Sequence, residues 1–206
     1  MNDESFRNLV DSIAARTATP GGGAVAGLNA ALGNALLLMV IRFSRGKKAG
    51  GHGEEALAQA EETLEGYMGP VMDLAERDCA VFDSVAQAYG MPKDTPEEKE
   101  LRGEAIKAGL LGAMGVPEET LGMVRDVFVA AGDISSYVGK NIVSDLGAAS
   151  EVLRASAETA FLNVRINAAY LQGSDQAEAG MRRASLIREE IMDYHGSVRS
   201  VVEELL

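Results

Sequence analysis

The chain has 206 residues, with 31 acidic and 19 basic side chains giving a formal net charge of −12. That length suffices for one domain with a sizeable core, and a surface so acidic repels phosphate backbones and anionic lipid heads. Nucleic-acid and membrane partners are therefore not expected.

Hydrophobic residues make up 47% of the chain, but aromatics only 5%, and there is no Trp. The core must be built from Ala, Leu, Val and Met, small residues that let helices pack closely. Cys79 is the single cysteine and there are two histidines, too few for an internal disulfide or a Cys/His zinc cluster, so no metal is expected. The acidic, polar start Met1-Asn2-Asp3-Glu4 lacks the features of a secretory signal, and a cytoplasmic location is expected.

Helical periodicity dominates and no alternating β-branched run appears, which predicts an all-α fold, an up-and-down bundle of long helices in a single domain spanning 1–206. A short helix over 4–17 carries Phe6, Leu9, Val10 and Ile13 on one side and stops before Pro20, because the residue before a proline is pushed toward extended backbone. A second helix follows Gly21-Gly22-Gly23 and runs to about residue 44. Its Gly23, Gly27, Ala31 and Ala35 recur every four residues, a ridge on which another helix can lie. The run 24–41 approaches the length of a membrane span, but Asn29, Asn34, Gly27 and Gly33 within it point to a buried core helix.

A polar loop over 45–53 precedes a helix over 54–89, expected to bend or break near Gly69-Pro70. Asp94 or Thr95 can cap a helix opening at Pro96, and Pro117-Glu118-Glu119 repeats that start signal. A long helix over 144–171 and a final one after Gly173-Ser174 complete the chain.

Four groups of residues can carry chemistry. Thr19-Pro20-Gly21-Gly22-Gly23 opens directly into a helix; it reads either as a tight turn that needs positive φ or as bare amides that a ligand can approach. Asp78 falls on the same helical stripe as Val71, Leu74, Val81 and Val85, so its carboxyl is either buried, with a raised pKa suited to proton transfer, or turned aside to solvent or a cation. Glu76 and Asp83 point away from that stripe. Arg42, Arg45, Lys47 and Lys48 form a basic cluster, either a dock for an acidic ligand or a helix end facing its own dipole. Asn141, Ser144 and Asp145 precede Asn163 and Asn167, one turn apart on the same long helix; these two amides can read the edge of a heterocycle or bond neighbouring helices. Asp145 would stand about 27 Å from Asn163 at ~1.5 Å per residue, too far for both to reach one reacting centre.

In order along the chain, Ala15-Arg16-Thr17-Ala18-Thr19-Pro20-Gly21-Gly22-Gly23, Gly46-Lys47-Lys48, Leu74-Ala75-Glu76-Arg77-Asp78 with Phe82-Asp83, Tyr89-Gly90-Met91-Pro92-Lys93, Asn141-Ile142-Val143-Ser144-Asp145-Leu146-Gly147 and Leu162-Asn163-Val164-Arg165-Ile166-Asn167 resemble the cyclodeaminase/cyclohydrolase family. The resemblance spans nearly the whole chain. It implies a helical subunit that forms a homodimer, with folate in a cleft at the dimer interface and Asp78 as the catalytic aspartate. It also implies that residues 20–23 contribute to the cleft, and Lys47 and Lys48 are the expected contacts for glutamate carboxylates. Two departures stand out, Ala24 in place of a serine common after the glycines and Ala49-Gly50-Gly51-His52-Gly53 in place of a more basic or aromatic stretch.

The expected activity is hydrolysis of 5,10-methenyltetrahydrofolate to 10-formyltetrahydrofolate, with a tetrahydrofolate derivative as substrate and no cofactor. The alternatives are cyclodeamination of 5-formiminotetrahydrofolate, which the expected lack of a fused formiminotransferase domain makes second, and a folate-binding or scaffold protein without turnover. A ferritin-like metal protein is set aside because its paired Glu-x-x-His ligands are missing.

Overall fold

The computed structural model describes residues 3–46 and 50–206. Among them are six α-helices and no strands: α1 Asp3–Ala14, α2 Gly22–Ser44, α3 Gly50–Tyr89, α4 Pro96–Ile134, α5 Val143–Tyr170 and α6 Asp175–Leu205, with a 3-10 turn at Ser135–Tyr137. The predicted all-α class is what is found.

Helices α2, α3, α4 and α5 pack in a ring, each against the next and α5 back against α2. Neighbours run antiparallel: Arg42 of α2 pairs with Glu61 of α3 at 2.9 Å while Gly23 meets Asp78, and Gly33 faces Leu153 of α5 while Gly22 faces Asn163. Helix α6 lies outside in the groove of α4 and α5. Leu37, Ile41, Leu64, Leu74, Leu121, Phe128, Leu146 and Leu153 are fully buried and form one continuous core with the small residues between them.

Local chemistry sets the helix ends. Thr95 accepts a hydrogen bond from Glu98 N–H at 3.2 Å and Glu98 answers by accepting from Thr95 N–H at 3.1 Å, a reciprocal cap that satisfies two otherwise orphaned donors. Ser174 caps α6, after Gly173 turns the chain with φ +79°. The loop expected over 45–53 is shorter, because α3 already begins at Gly50. Glu54 ties that turn down by accepting from Gly46 N–H at 2.8 Å and Arg45 Nε at 2.7 Å.

Three further expectations are corrected. Of the bend or break expected near Gly69-Pro70, the break is absent: α3 runs on through Pro70, and the carbonyl of Gly66 that the proline leaves without a donor lies on an exposed turn. Pro117 does not start a helix but sits inside α4. The carbonyl of Ala113, four residues earlier and deprived of its donor, accepts instead from Asn167 Nδ2 of α5 at 3.1 Å. The ridge on α2 holds only at Gly23 and Gly27, with Ala31 half-buried and Ala35 exposed. A strict four-residue repeat drifts off a helix of ~3.6 residues per turn, so the buried line shifts to Ala30, Asn34, Leu37 and Ile41.

Helix α2 is the one helix among the described residues long and apolar enough to cross a membrane by length and composition, and here it packs against α3 and α5 as a member of the bundle.

Candidate functional site

The N-terminus of α2 and the C-terminal half of α3 close the ends of a cavity of about 630 Å³, with α4 and α5 as its other walls. Its lining comprises Ala18, Thr19, Gly21, Gly22, Gly23, Asp78, Val81, Phe82, Val85, Ala86, Tyr89, Leu110, Ala113, Asn163, Ile166, Asn167 and Tyr170. The glycine turn, the stripe aspartate and the asparagine pair, read separately in the sequence, therefore meet in one place.

The glycines provide room rather than unusual backbone. None of Gly21, Gly22 and Gly23 has positive φ. A methyl on Gly23 would stand 2.0 Å from Asp78 Oδ1, and one on Gly22 would stand 3.4 Å from Asn163 Nδ2. Without a side chain at position 23 the Asp78 carboxylate settles onto the opening turn of α2, where it accepts a hydrogen bond from Ala24 N–H. Gly21, the N-cap residue, has no side chain to do this, so α2 is capped by a carboxylate from another helix, a placement its dipole favours. Burial nevertheless dominates and raises the Asp78 pKa above the ordinary carboxylate value, with the Ala24 hydrogen bond opposing it.

Asp78 is the one charged residue in the lining among the described residues. The two asparagines add acceptors. Asn163 Nδ2 donates to Thr159 O at 2.8 Å, and Asn167 Nδ2 donates to Ala113 O at 3.1 Å and Asn163 O at 3.0 Å. Both N–H donors of Asn167 and one of the two of Asn163 are thus committed to backbone, leaving the two carbonyl ends and one Asn163 N–H to a visitor. Phe82, Tyr89, Ile166 and Tyr170 stand exposed at the mouth, from 41% for Phe82 to 66% for Tyr170. Arg102 fixes Tyr89 by lying 5.6 Å from its ring centroid and donating to its carbonyl at 3.1 Å. None of the four was named as a site residue from the sequence, although Phe82, Tyr89 and Ile166 fall within the motifs of the family resemblance. The signal was present in their spacing, since Phe82 and Tyr89 continue the stripe of Asp78 and Val85, and Ile166 and Tyr170 that of Asn163.

The other candidates fall elsewhere. Pro20, joined to Thr19 by a cis peptide bond, supports the turn without lining the cavity. Asn141 and Asp145 lie outside the lining at the opposite end of α5, Asn141 exposed and Asp145 half-buried in the first turn. Lys47 and Lys48 lie outside the described residues. Their neighbours Arg42 and Arg45 are consumed by α3: Arg42 pairs with Glu61 at 2.9 Å and Glu65 at 2.6 Å, and Arg45 pairs with Glu54 at 2.7 Å and Glu61 at 2.6 Å. That end of α2 is also about 28 Å from Gly23 at ~1.5 Å per residue.

A second polar cluster is structural. Ser150 Oγ is 2.8 Å from His195 Nδ1 and Glu151 Oε1 is 3.6 Å from Nε2, an order reminiscent of a hydrolytic triad. Ser150 is buried and the imidazole packs edge-on against Phe128 at 6.2 Å, which closes the hydroxyl to any substrate. Among the described residues no group of three or more His, Cys, Asp or Glu is placed to hold a metal ion.

Fold and cavity together define a helical-bundle protein built around one partly desolvated carboxylate in a small-molecule cavity. A model of the formiminotransferase-cyclodeaminase family matches residues 5–185, and the chain belongs to that family. It is 34% identical over 180 residues to the methenyltetrahydrofolate cyclohydrolase of Methylorubrum extorquens, covering 87% of this chain and 86% of that one. The formimidoyltransferase-cyclodeaminase of Mus musculus is 32% identical over 165 residues, which are 80% of this chain but 30% of the mouse protein. Among solved structures, the formiminotetrahydrofolate cyclodeaminase of Thermotoga maritima superposes with a TM-score of 0.85 at 25% identity, over 97% of this chain and 96% of that one.

Proposed function

We propose that the protein is a methenyltetrahydrofolate cyclohydrolase that uses Asp78 as its acid–base residue and the cavity of Phe82, Asn163 and Asn167 as its folate site. The observation that carries this reading is the charge pattern of the cavity, with one carboxylate, two amide acceptors and, among the described residues, no cation in the lining. Such a field suits a flat heterocycle that brings N–H donors and a positive charge, which is what the pterin edge and the amidinium of 5,10-methenyltetrahydrofolate supply. The aromatic mouth offers faces for stacking.

Water adds its oxygen to the amidinium carbon while Asp78 accepts a proton, giving a neutral carbinolamine. The bond from that carbon to N5 then breaks. N5 takes the proton from Asp78, the hydroxyl proton leaves to solvent, and the formyl group remains on N10. Charge and atoms balance with one proton released, and no metal or redox cofactor is required. Thr19 and residues 21–23 form the wall against which the substrate lies.

The likeness to the Thermotoga cyclodeaminase favours a second reading, in which N10 attacks the formimino carbon and Asp78 protonates departing ammonia. One assay separates the two. Purified protein is expected to accelerate the loss of methenyltetrahydrofolate absorbance with 10-formyltetrahydrofolate as product. Ammonia release from formiminotetrahydrofolate without that acceleration would replace hydrolysis by cyclodeamination, and folate binding without either would leave a binding protein.

A homodimer belongs to the same proposal. Helix α2 is apolar on all sides, yet its outward line of Val25, Leu28, Leu32, Leu36, Met39 and Phe43 lacks a full cover, with Leu32 63% and Phe43 67% exposed. A helix hydrophobic all round is normally buried, and a second copy supplies the missing cover. Leu32→Glu is expected to shift the protein from dimer to monomer in sedimentation velocity; a wild type that already sediments as a monomer removes the dimer from the proposal. Cytoplasmic residence completes it, in keeping with a lone Cys79.

A further inference from the structure

The site cavity has a neighbour. A second recess of about 300 Å³ lies between α4 and the turn that joins α5 to α6, and it shares Leu110 and Tyr170 with the first. The two are thus parts of one groove with Tyr170 at the junction. Among the described residues, the lining of the second part contains one charged side chain, Lys107.

Lys107 has no ion-pair partner among the described residues, a state it shares with Lys93, Lys99 and Lys140; what sets it apart is its place in the recess that continues the site cavity. The arginines at positions 42, 45, 77, 125, 154, 182, 183, 188 and 199 all meet carboxylates. Position 103, four residues before Lys107 and on the same face, is Gly, so no side chain competes there, and Glu104, one turn away, makes no ion pair with it. The register between α3 and α4 fixes how far this ammonium stands from the reacting centre. Arg77 pairs with Glu119, and Val85 touches Gly109, so Asp78 is level with residue 117 or so on α4. Lys107 is then ten residues along the bundle, about 15 Å at ~1.5 Å per residue. A p-aminobenzoylglutamate arm extending from an imidazoline ring at Asp78 covers that span with a carboxylate at its end, and the lysine side chain closes the remainder.

We propose that the recess at Lys107 is a subsite for the glutamate carboxylates of the substrate; Arg42 and Arg45 at the far end of α2 are already neutralised by α3. The assignment rests on the folate reading of the main cavity. Lys107 acts on binding alone, since it stands far from the atoms that react.

The test is Lys107→Glu, assayed with 5,10-methenyltetrahydrofolate and with its analogue truncated at the benzoyl carboxyl. For the glutamate-bearing substrate KM is expected to rise about tenfold with kcat unchanged, and for the truncated analogue neither constant is expected to move. An equal change on both substrates, or none on either, overturns the role of Lys107 and leaves the cyclohydrolase reading standing. Should wild type turn over neither compound, the cyclohydrolase reading falls, and calorimetric binding of p-aminobenzoylglutamate decides the subsite alone. Weaker binding to Lys107→Glu than to wild type then upholds it, and equal binding overturns it.

Discussion

Asp78→Asn is expected to lower kcat for methenyltetrahydrofolate hydrolysis by about 10²–10⁴-fold, the usual worth of a positioned proton-transfer group, and at the same time to raise Tm at neutral pH. Both outcomes follow from one placement. The carboxylate is held over the bare backbone of Gly23 and partly desolvated, so its pKa in the fold is raised above that of the unfolded chain. The folded state therefore binds more protons between those two values, and stability falls as pH rises through that window. Above it the full penalty of a desolvated charge applies, and below about pH 4 it vanishes. An amide of the same shape carries no such penalty and can still accept from Ala24 N–H. Thermal unfolding of the pair from pH 4 to pH 8 should show Tm values that converge at the acid end and separate toward neutrality, with the variant higher. In the wild type the acid limb of kcat/KM should lie above the pH at which an ordinary carboxylate titrates. A variant that keeps its activity, or that melts lower at pH 7, would remove Asp78 from the role assigned to it.

Gly23→Ala and Gly27→Ala differ by one turn of α2 and are expected to fail in different ways. At position 23 the new methyl meets the far end of the Asp78 side chain, with Oδ1 at 2.0 Å and Oδ2 at 2.5 Å. The carboxylate swings aside, so a loss of kcat of about 10²-fold or more is expected while the fold survives, because Ala gains about 1 kcal/mol of helix propensity over Gly. At position 27 the methyl meets backbone, Ala75 N at 2.8 Å and Leu74 C at 3.2 Å, which cannot step aside without parting α2 from α3. Overpacking of this kind costs about 1–3 kcal/mol, and the expected result is a lower denaturation midpoint. Reversed outcomes would mean that the close approach of α2 and α3 serves stability at the first position and catalysis at the second.

The helices were legible in the sequence because their signals are local: the periodicity, Thr95 with Glu98, and Gly173 with Ser174. The site was legible in pieces. Asp78 stood out as a charge on an apolar stripe, and Asn163 and Asn167 as amides one turn apart, but that they face one another across a cavity depends on how α2, α3 and α5 assemble. Asp145 shares the helical phase of the asparagines yet lies at the far end of α5, since phase fixes a face and says nothing of depth, and Asn141 precedes that helix altogether. Pro117 misled for a related reason. A proline is a start signal unless some other group answers the carbonyl it leaves bare, and that group, on α5, is fifty residues further along the chain. Arg42 and Arg45 looked like free cations because their acidic partners become neighbours only when α2 and α3 pair.

The answer to Pro117 has a consequence of its own. Asn167 cannot leave Ala113 O without stranding a carbonyl in the wall of the cavity, so its amide is locked in one rotamer before any ligand arrives. Freezing such a side chain on association commonly costs about 0.5–1.5 kcal/mol; here that ordering was completed when the chain folded. A proline in α4 thus gives the incoming heterocycle a rigid template to read rather than a side chain it must first tame.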